Sequence, residues 1–111
     1  MNGTHASENS LLLRAILRQE WKSKSTIMSD WFGLYSISES INAGLDLEMP
    51  GDNKWRNSNL VGRAIMGKKV TLRTVKERAR KVLTLVKRCA EGAPEVTTFL
   101  YRFVIYIIQV C

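Results

Sequence analysis

A chain of 111 residues with a formal net charge of +7, 45% hydrophobic and 24% charged residues has the balance of a soluble globular protein. Its two cysteines, Cys89 and Cys111, lack metal-ligand spacing and read as free thiols. Met1 to Ser10 is largely polar and carries no basic region followed by an apolar one, which excludes a signal peptide there.

In chain order, Ser7 or Asn9 can cap a helix running to about Trp21, with Leu12, Leu13, Ile16 and Leu17 on one face. After the polar stretch Lys22 to Ser25, the spacing predicts a strand over Thr26 to Ser29. Ile27 and Met28 show no polar alternation, as in a buried parallel strand covered on both faces. A loop follows through Gly33 to Ser36, then a short helix Ser38 to Ala43 closed by Gly44. Leu45 to Met49 reads as a second strand, ended by Pro50-Gly51. The loop Asp52 to Asn57 leads to a helix over Asn59 to Met66, with Gly67 stopping it. Thr71 then caps the longest helix, Leu72 to Cys89, where Leu72, Val75, Ala79, Val82 and Val86 recur at helical spacing. Helix, strand, helix, strand, helix is the order of α/β barrel units.

Asp30 stands where the first strand leaves the core, in Thr26-Ile27-Met28-Ser29-Asp30-Trp31-Phe32-Gly33. In a (β/α)₈ barrel, that face holds the catalytic groups. A carboxylate beside a large ring suits glycoside chemistry, in which the acid attacks an anomeric carbon and the ring lies against the sugar. The plainer reading is a turn residue whose side chain bonds nearby amides. Trp31 is assigned to the sugar site and Phe32 to packing. Asp46 and Glu48 lie two apart on the second strand and so point to one side, away from Leu45, Leu47 and Met49. They read as hydrogen-bonded supports rather than as a second catalytic carboxyl. His5, the only histidine, reads as a loop contact.

The motifs Asn2-Gly3-Thr4-His5-Ala6-Ser7-Glu8-Asn9, Leu17-Arg18-Gln19-Glu20-Trp21, Met28-Ser29-Asp30-Trp31-Phe32-Gly33 and Ala43-Gly44-Leu45-Asp46-Leu47-Glu48-Met49-Pro50-Gly51 occur in this order. Together they resemble the catalytic barrel of family 3 glycoside hydrolases, most closely the fungal β-glucosidases. The resemblance covers Asn2 to Pro94. It implies that Asp30 corresponds to the nucleophile and that Trp31 helps to wall the sugar pocket. It also implies retaining hydrolysis of terminal β-D-glucosyl residues, on β-glucosides or cello-oligosaccharides in cellulose degradation, with no metal or organic cofactor. Relatives of full length are often extracellular. Two departures stand out: Ser25, where the family usually has glycine, and Leu34, where a small polar residue is common.

A whole barrel needs roughly 200 residues or more. The expected fold is therefore α/β, a partial (β/α)₈ barrel of its last strands and helices, mostly helical by content. On this reading the chain is a gene fragment, truncated at Met1. The missing parts are the first strands, whose Asp, Arg and Lys-His groups hold the sugar, and the second domain with the acid/base Glu. Residues 1–95 form the barrel portion and residues 96–111 an aberrant apolar tail, best explained by a translated intron or a frameshift. The apolar-rich run Phe99 to Cys111 is too short to span a bilayer, for which about 20 residues are needed. The sequon Asn2-Gly3-Thr4 sits inside a family motif and reads as coincidence.

The charge is local. Between Lys68 and Arg88 nine basic residues face Glu77 alone, a net +8. Read alone, this basic amphipathic helix suggests a module for nucleic acid or an anionic membrane surface. The family carries an Arg-rich stretch here, matched by Arg78-Ala79-Arg80-Lys81-Val82-Leu83, so a solvated outer helix is expected, with no nucleic-acid or membrane partner.

Overall fold

A computed structural model describes residues 3–51 and 54–92. The expected tail, 96–111, lies outside the described residues. A 3₁₀ turn, Ala6–Glu8, precedes a helix at Leu11–Glu20. Then come β1 (Met28–Trp31), α1 (Ser38–Ala43), β2 (Leu47–Met49), α2 (Ser58–Met66) and α3 (Leu72–Gly92). β1 and β2 pair in parallel, with α1 as the crossover between them.

The register is uneven. Met28 faces Leu47 and Trp31 faces Met49, so β1 uses one more residue than β2 across that stretch. Such a bulge bends a strand and re-aims its side chains, and bulges cluster beside functional sites. The Ser29 hydroxyl repairs the disrupted ladder by accepting the Met49 N–H at 2.9 Å. The Phe32 N–H closes the far side on the Met49 carbonyl at 3.1 Å.

Helix ends follow the local chemistry. The Asn57 side chain accepts the Leu60 N–H at 3.0 Å and Thr71 Oγ1 the Thr74 N–H at 3.1 Å, each filling an orphan donor. Asn9, one of the two expected caps, takes the Leu12 N–H at 3.1 Å. Gly44 ends α1 with φ +113, a left-handed conformation that favours glycine.

Three boundaries and one helix type differ from the sequence expectation. The first strand starts at Met28 rather than Thr26 and includes Asp30 and Trp31, because the bulge prolongs its pairing. The second strand holds only Leu47–Met49; the Asp46 and Leu47 N–H groups both turn onto the Ile27 carbonyl, at 2.8 and 3.1 Å. The first helix is π-type, with a five-residue bond from the Trp21 N–H to the Ile16 carbonyl at 2.9 Å. Leu13 is its one buried residue. Finally, α3 runs on to Gly92, and none of its residues is fully buried.

Two small apolar clusters meet at α1. Leu13, Leu34, Ala43 and Leu45 form one; Ile41, Ala64 and Val70 form the other, with Val75 of α3 against it. Leu34, the departure from the family pattern, is 2% exposed and belongs to the core.

What ties these pieces together is ionic. The Asp46 carboxylate is fully buried between Arg18 at 2.6 Å and Arg78 at 3.1 Å. It also accepts the Ile27 N–H at 2.9 Å. Arg18 further donates to the carbonyls of Ser23 and Ser25, and Arg78 to that of Gly44 at 3.0 Å. Removing one partner of such a buried group strands the others without water. Asp46→Ala is therefore expected to destabilise the chain by about 3–5 kcal/mol in urea unfolding. Arg73→Ala, which breaks only the exposed pair with Glu77, should cost under about 1 kcal/mol.

Candidate active site

Asp30 sits in the bulged end of β1, exposed, with its Oδ1 accepting the Trp31 N–H at 2.7 Å. The chain then turns at once. The Gly33 N–H returns to the Asp30 carbonyl at 2.9 Å, and Phe32 between them has φ +55. A left-handed φ is costly for a side-chain-bearing residue and marks a conformation imposed by its surroundings. Here those surroundings can be named.

A Cβ on Gly33 would lie 3.1 Å from Asp30 Cβ and 3.2 Å from the Asp30 carbonyl oxygen, so a side chain there would require Asp30 to give by a few tenths of an ångström. The Ser7 hydroxyl donates to the Gly33 carbonyl at 2.8 Å, across 26 residues of sequence. His5 stacks on Tyr35 with ring centroids 4.1 Å apart and planes 23° from parallel. The amino-terminal strap therefore grips the turn after Asp30 at two points. Between them lies a cavity of about 200 Å³ whose lining includes His5, Ser7, Met28, Asp30 and Gly33.

Of the two predicted site residues, Asp30 faces this cavity and Trp31 stands outside its lining, 62% exposed. His5 is the loop contact expected of it. Phe32 corrects the expectation of packing: it is 58% exposed, because its turn conformation directs it away from the core that Leu34 enters. Ser7 was expected only as a cap and Gly33 only as a loop start. Their contact is not encoded in any local pattern.

Asp46 and Glu48 are supports, as their pattern suggests. Glu48 is buried, and both its oxygens are taken by the N–H groups of Trp55 at 3.1 Å and Arg56 at 2.9 Å. Arg56 donates to the Leu45 carbonyl at 2.9 Å. Burial pulls its pKa down to about 10, against the opposing pull of Glu48 and Asp46. Neither carboxylate is free to act beside Asp30. Among the described residues no group of three His, Cys, Asp or Glu side chains could hold a metal, and no helix is long and apolar enough to cross a membrane.

The chain is 50% identical over 96 residues to a probable beta-glucosidase J of Aspergillus fumigatus, covering 86% of this chain and 11% of that protein. Its fold superposes on the crystal structure of a beta-glucosidase from Kluyveromyces marxianus in complex with glucose. That match has a TM-score of 0.80 and 39% identity, over 84% of this chain and 11% of the other. The chain is homologous to a segment of the family 3 β-glucosidases. A Bifidobacterium adolescentis GH3 beta-glucosidase matches with a TM-score of 0.70 and 31% identity, over 78% of this chain and 12% of that one. No family model matches the chain. The chain spans about 11% of the length of the first-named relative.

The grip of Ser7 on the Asp30 turn can be measured. Ser7→Ala deletes one part-buried hydrogen bond and should cost about 1 kcal/mol of stability. Amide chemical shifts of Asp30 to Gly33 should move while those of α3 stay in place.

Proposed function

We propose that the chain is a portion of a β-glucosidase catalytic domain, the last part of a (β/α)₈ barrel over residues 1–95, with Asp30 as the nucleophile. The observation that carries this reading is an exposed aspartate on the bulged carboxyl end of a parallel strand, at a cavity, in a chain half identical to β-glucosidases. The glucose held by the Kluyveromyces marxianus relative supports a glucosyl substrate. The full substrate would be a β-glucoside or cello-oligosaccharide.

The chemistry follows from one carboxylate and its missing partner. Asp30 attacks the anomeric carbon while an acid protonates the departing oxygen, giving a glycosyl ester on Asp30. Water, deprotonated by the same second carboxyl, then releases glucose with retained configuration. The two carboxyl groups must lie about 5–5.5 Å apart. Asp46 and Glu48 are both engaged, and the resemblance places the acid/base Glu on the family's second domain. Trp31, exposed beside Asp30, is assigned to the sugar face, where a ring covers apolar C–H groups. Two carboxyls and water suffice, so the reaction needs no metal or organic cofactor.

The 111-residue chain alone should hydrolyse a chromogenic β-glucoside no faster than buffer. A full-length enzyme built around these residues should turn over and lose nearly all activity with Asp30→Ala, added formate or azide restoring part of it. Robust turnover by the isolated chain, or an active full-length Asp30→Ala, would overturn the assignment.

A further inference from the structure

A groove of about 640 Å³ runs between residues 24–28 and α3. Its size suits a small organic molecule. Lys24, Arg78, Arg80, Lys81 and Arg88 line it, against Glu77 alone among the described residues. Glu77 is already occupied by Arg73 at 3.3 Å and Arg78 at 3.6 Å. The cationic lining is therefore not neutralised from within.

The donors are held in place but underused. Lys81 Nζ donates to the Lys24 carbonyl at 3.1 Å, and the Lys81 carbonyl accepts the Thr26 hydroxyl at 3.2 Å, fixing the groove's two walls together. That leaves two ammonium hydrogens on Lys81 without an acceptor among the described residues. Arg78 is fixed by Asp46 and Gly44, yet its Nε is buried with no acceptor among the described residues. Met28, half exposed, and Leu85 add an apolar stretch to the same wall.

We propose that this groove is a binding site for a small phosphomonoester, its dianion held by Lys24, Lys81 and Arg88 and its organic part against Met28 and Leu85. Charge-assisted hydrogen bonds from several ammonium and guanidinium groups to one dianion are among the strongest polar contacts available. The local field agrees. Lys81 has its pKa lowered by burial and then by Arg18, with Arg78 and Arg88 adding to it against Asp46. The same positive potential that disfavours its proton favours an incoming anion. The site is built from α3 and the approach to β1 rather than from the Asp30 turn, and Met28 is the residue it shares with the lining of the Asp30 cavity.

The test is a titration of the 111-residue chain with inorganic phosphate and with phenyl phosphate, followed by amide chemical shifts. Sodium chloride at matched ionic strength is the control. Both phosphates should give saturating shifts at residues 24–28 and 84–88, with phenyl phosphate the tighter, and chloride none. The double variant Lys24→Ala, Arg88→Ala should bind about tenfold or more weakly, the size of a lost charge-assisted contact. The double variant Lys68→Ala, Lys69→Ala removes equal charge outside the groove and should bind as the parent does. Far-UV circular dichroism matching the parent would keep folding out of the comparison. Equal weakening by both variants would mean a diffuse charge effect and overturn the site. So would the absence of saturating shifts, while equal affinity for the two phosphates would overturn the organic occupant.

Discussion

One buried carboxylate holds this segment together. Asp46 takes a guanidinium from the Leu11–Glu20 helix, another from α3 and a backbone N–H from the approach to β1. The two apolar clusters are small, and α3 contributes no fully buried side chain. The helices are therefore fixed to the sheet less by area than by charge pairing at a single point. An ion triad around a fully buried carboxylate is costly to build, and one benefit it can bring is specificity of arrangement. That benefit is visible here as register: Ile27 cannot slide along β2 without leaving Asp46 short of a donor.

The Asp30 turn depends on that register. With Ile27 fixed at one end, the extra residue of β1 accumulates between Met28 and Trp31. Ser29 then turns its hydroxyl to the Met49 N–H, and Asp30 is carried to the cavity beneath the amino-terminal strap. The left-handed Phe32 and the close approach of Gly33 follow from reversing the chain within the next three residues. Strain, bulge and exposed carboxylate thus occupy one short stretch. Such a stretch is where a catalytic group is expected to be held in an otherwise unfavourable geometry.

Much of this was legible in the sequence. Element order, the caps at Asn9 and Thr71, and the stop at Gly44 all follow from interactions within a few residues of chain. The alternation put Asp46 and Glu48 on one side of their strand, and the family resemblance, which places the acid/base elsewhere, favoured supports. Their partners were another matter: Arg18 lies 28 residues before Asp46 and Arg78 lies 32 after it. Ser7 and Gly33 are equally remote. The bulge was hidden for a different reason. An added residue in β1 changes pairing without changing composition, so the apolar run set the strand two residues early and left Asp30 outside it.

The most direct test of the account is covalent capture of Asp30. A full-length enzyme containing this segment, treated with a 2-deoxy-2-fluoro-β-glucoside bearing a good leaving group, should accumulate a stable glycosyl ester. Peptide mass spectrometry should place the added fluoroglucosyl mass on Asp30 and leave Asp46 and Glu48 unmodified. Labelling of Glu48, or of any carboxylate other than Asp30, would contradict the assignment on which the whole reading rests.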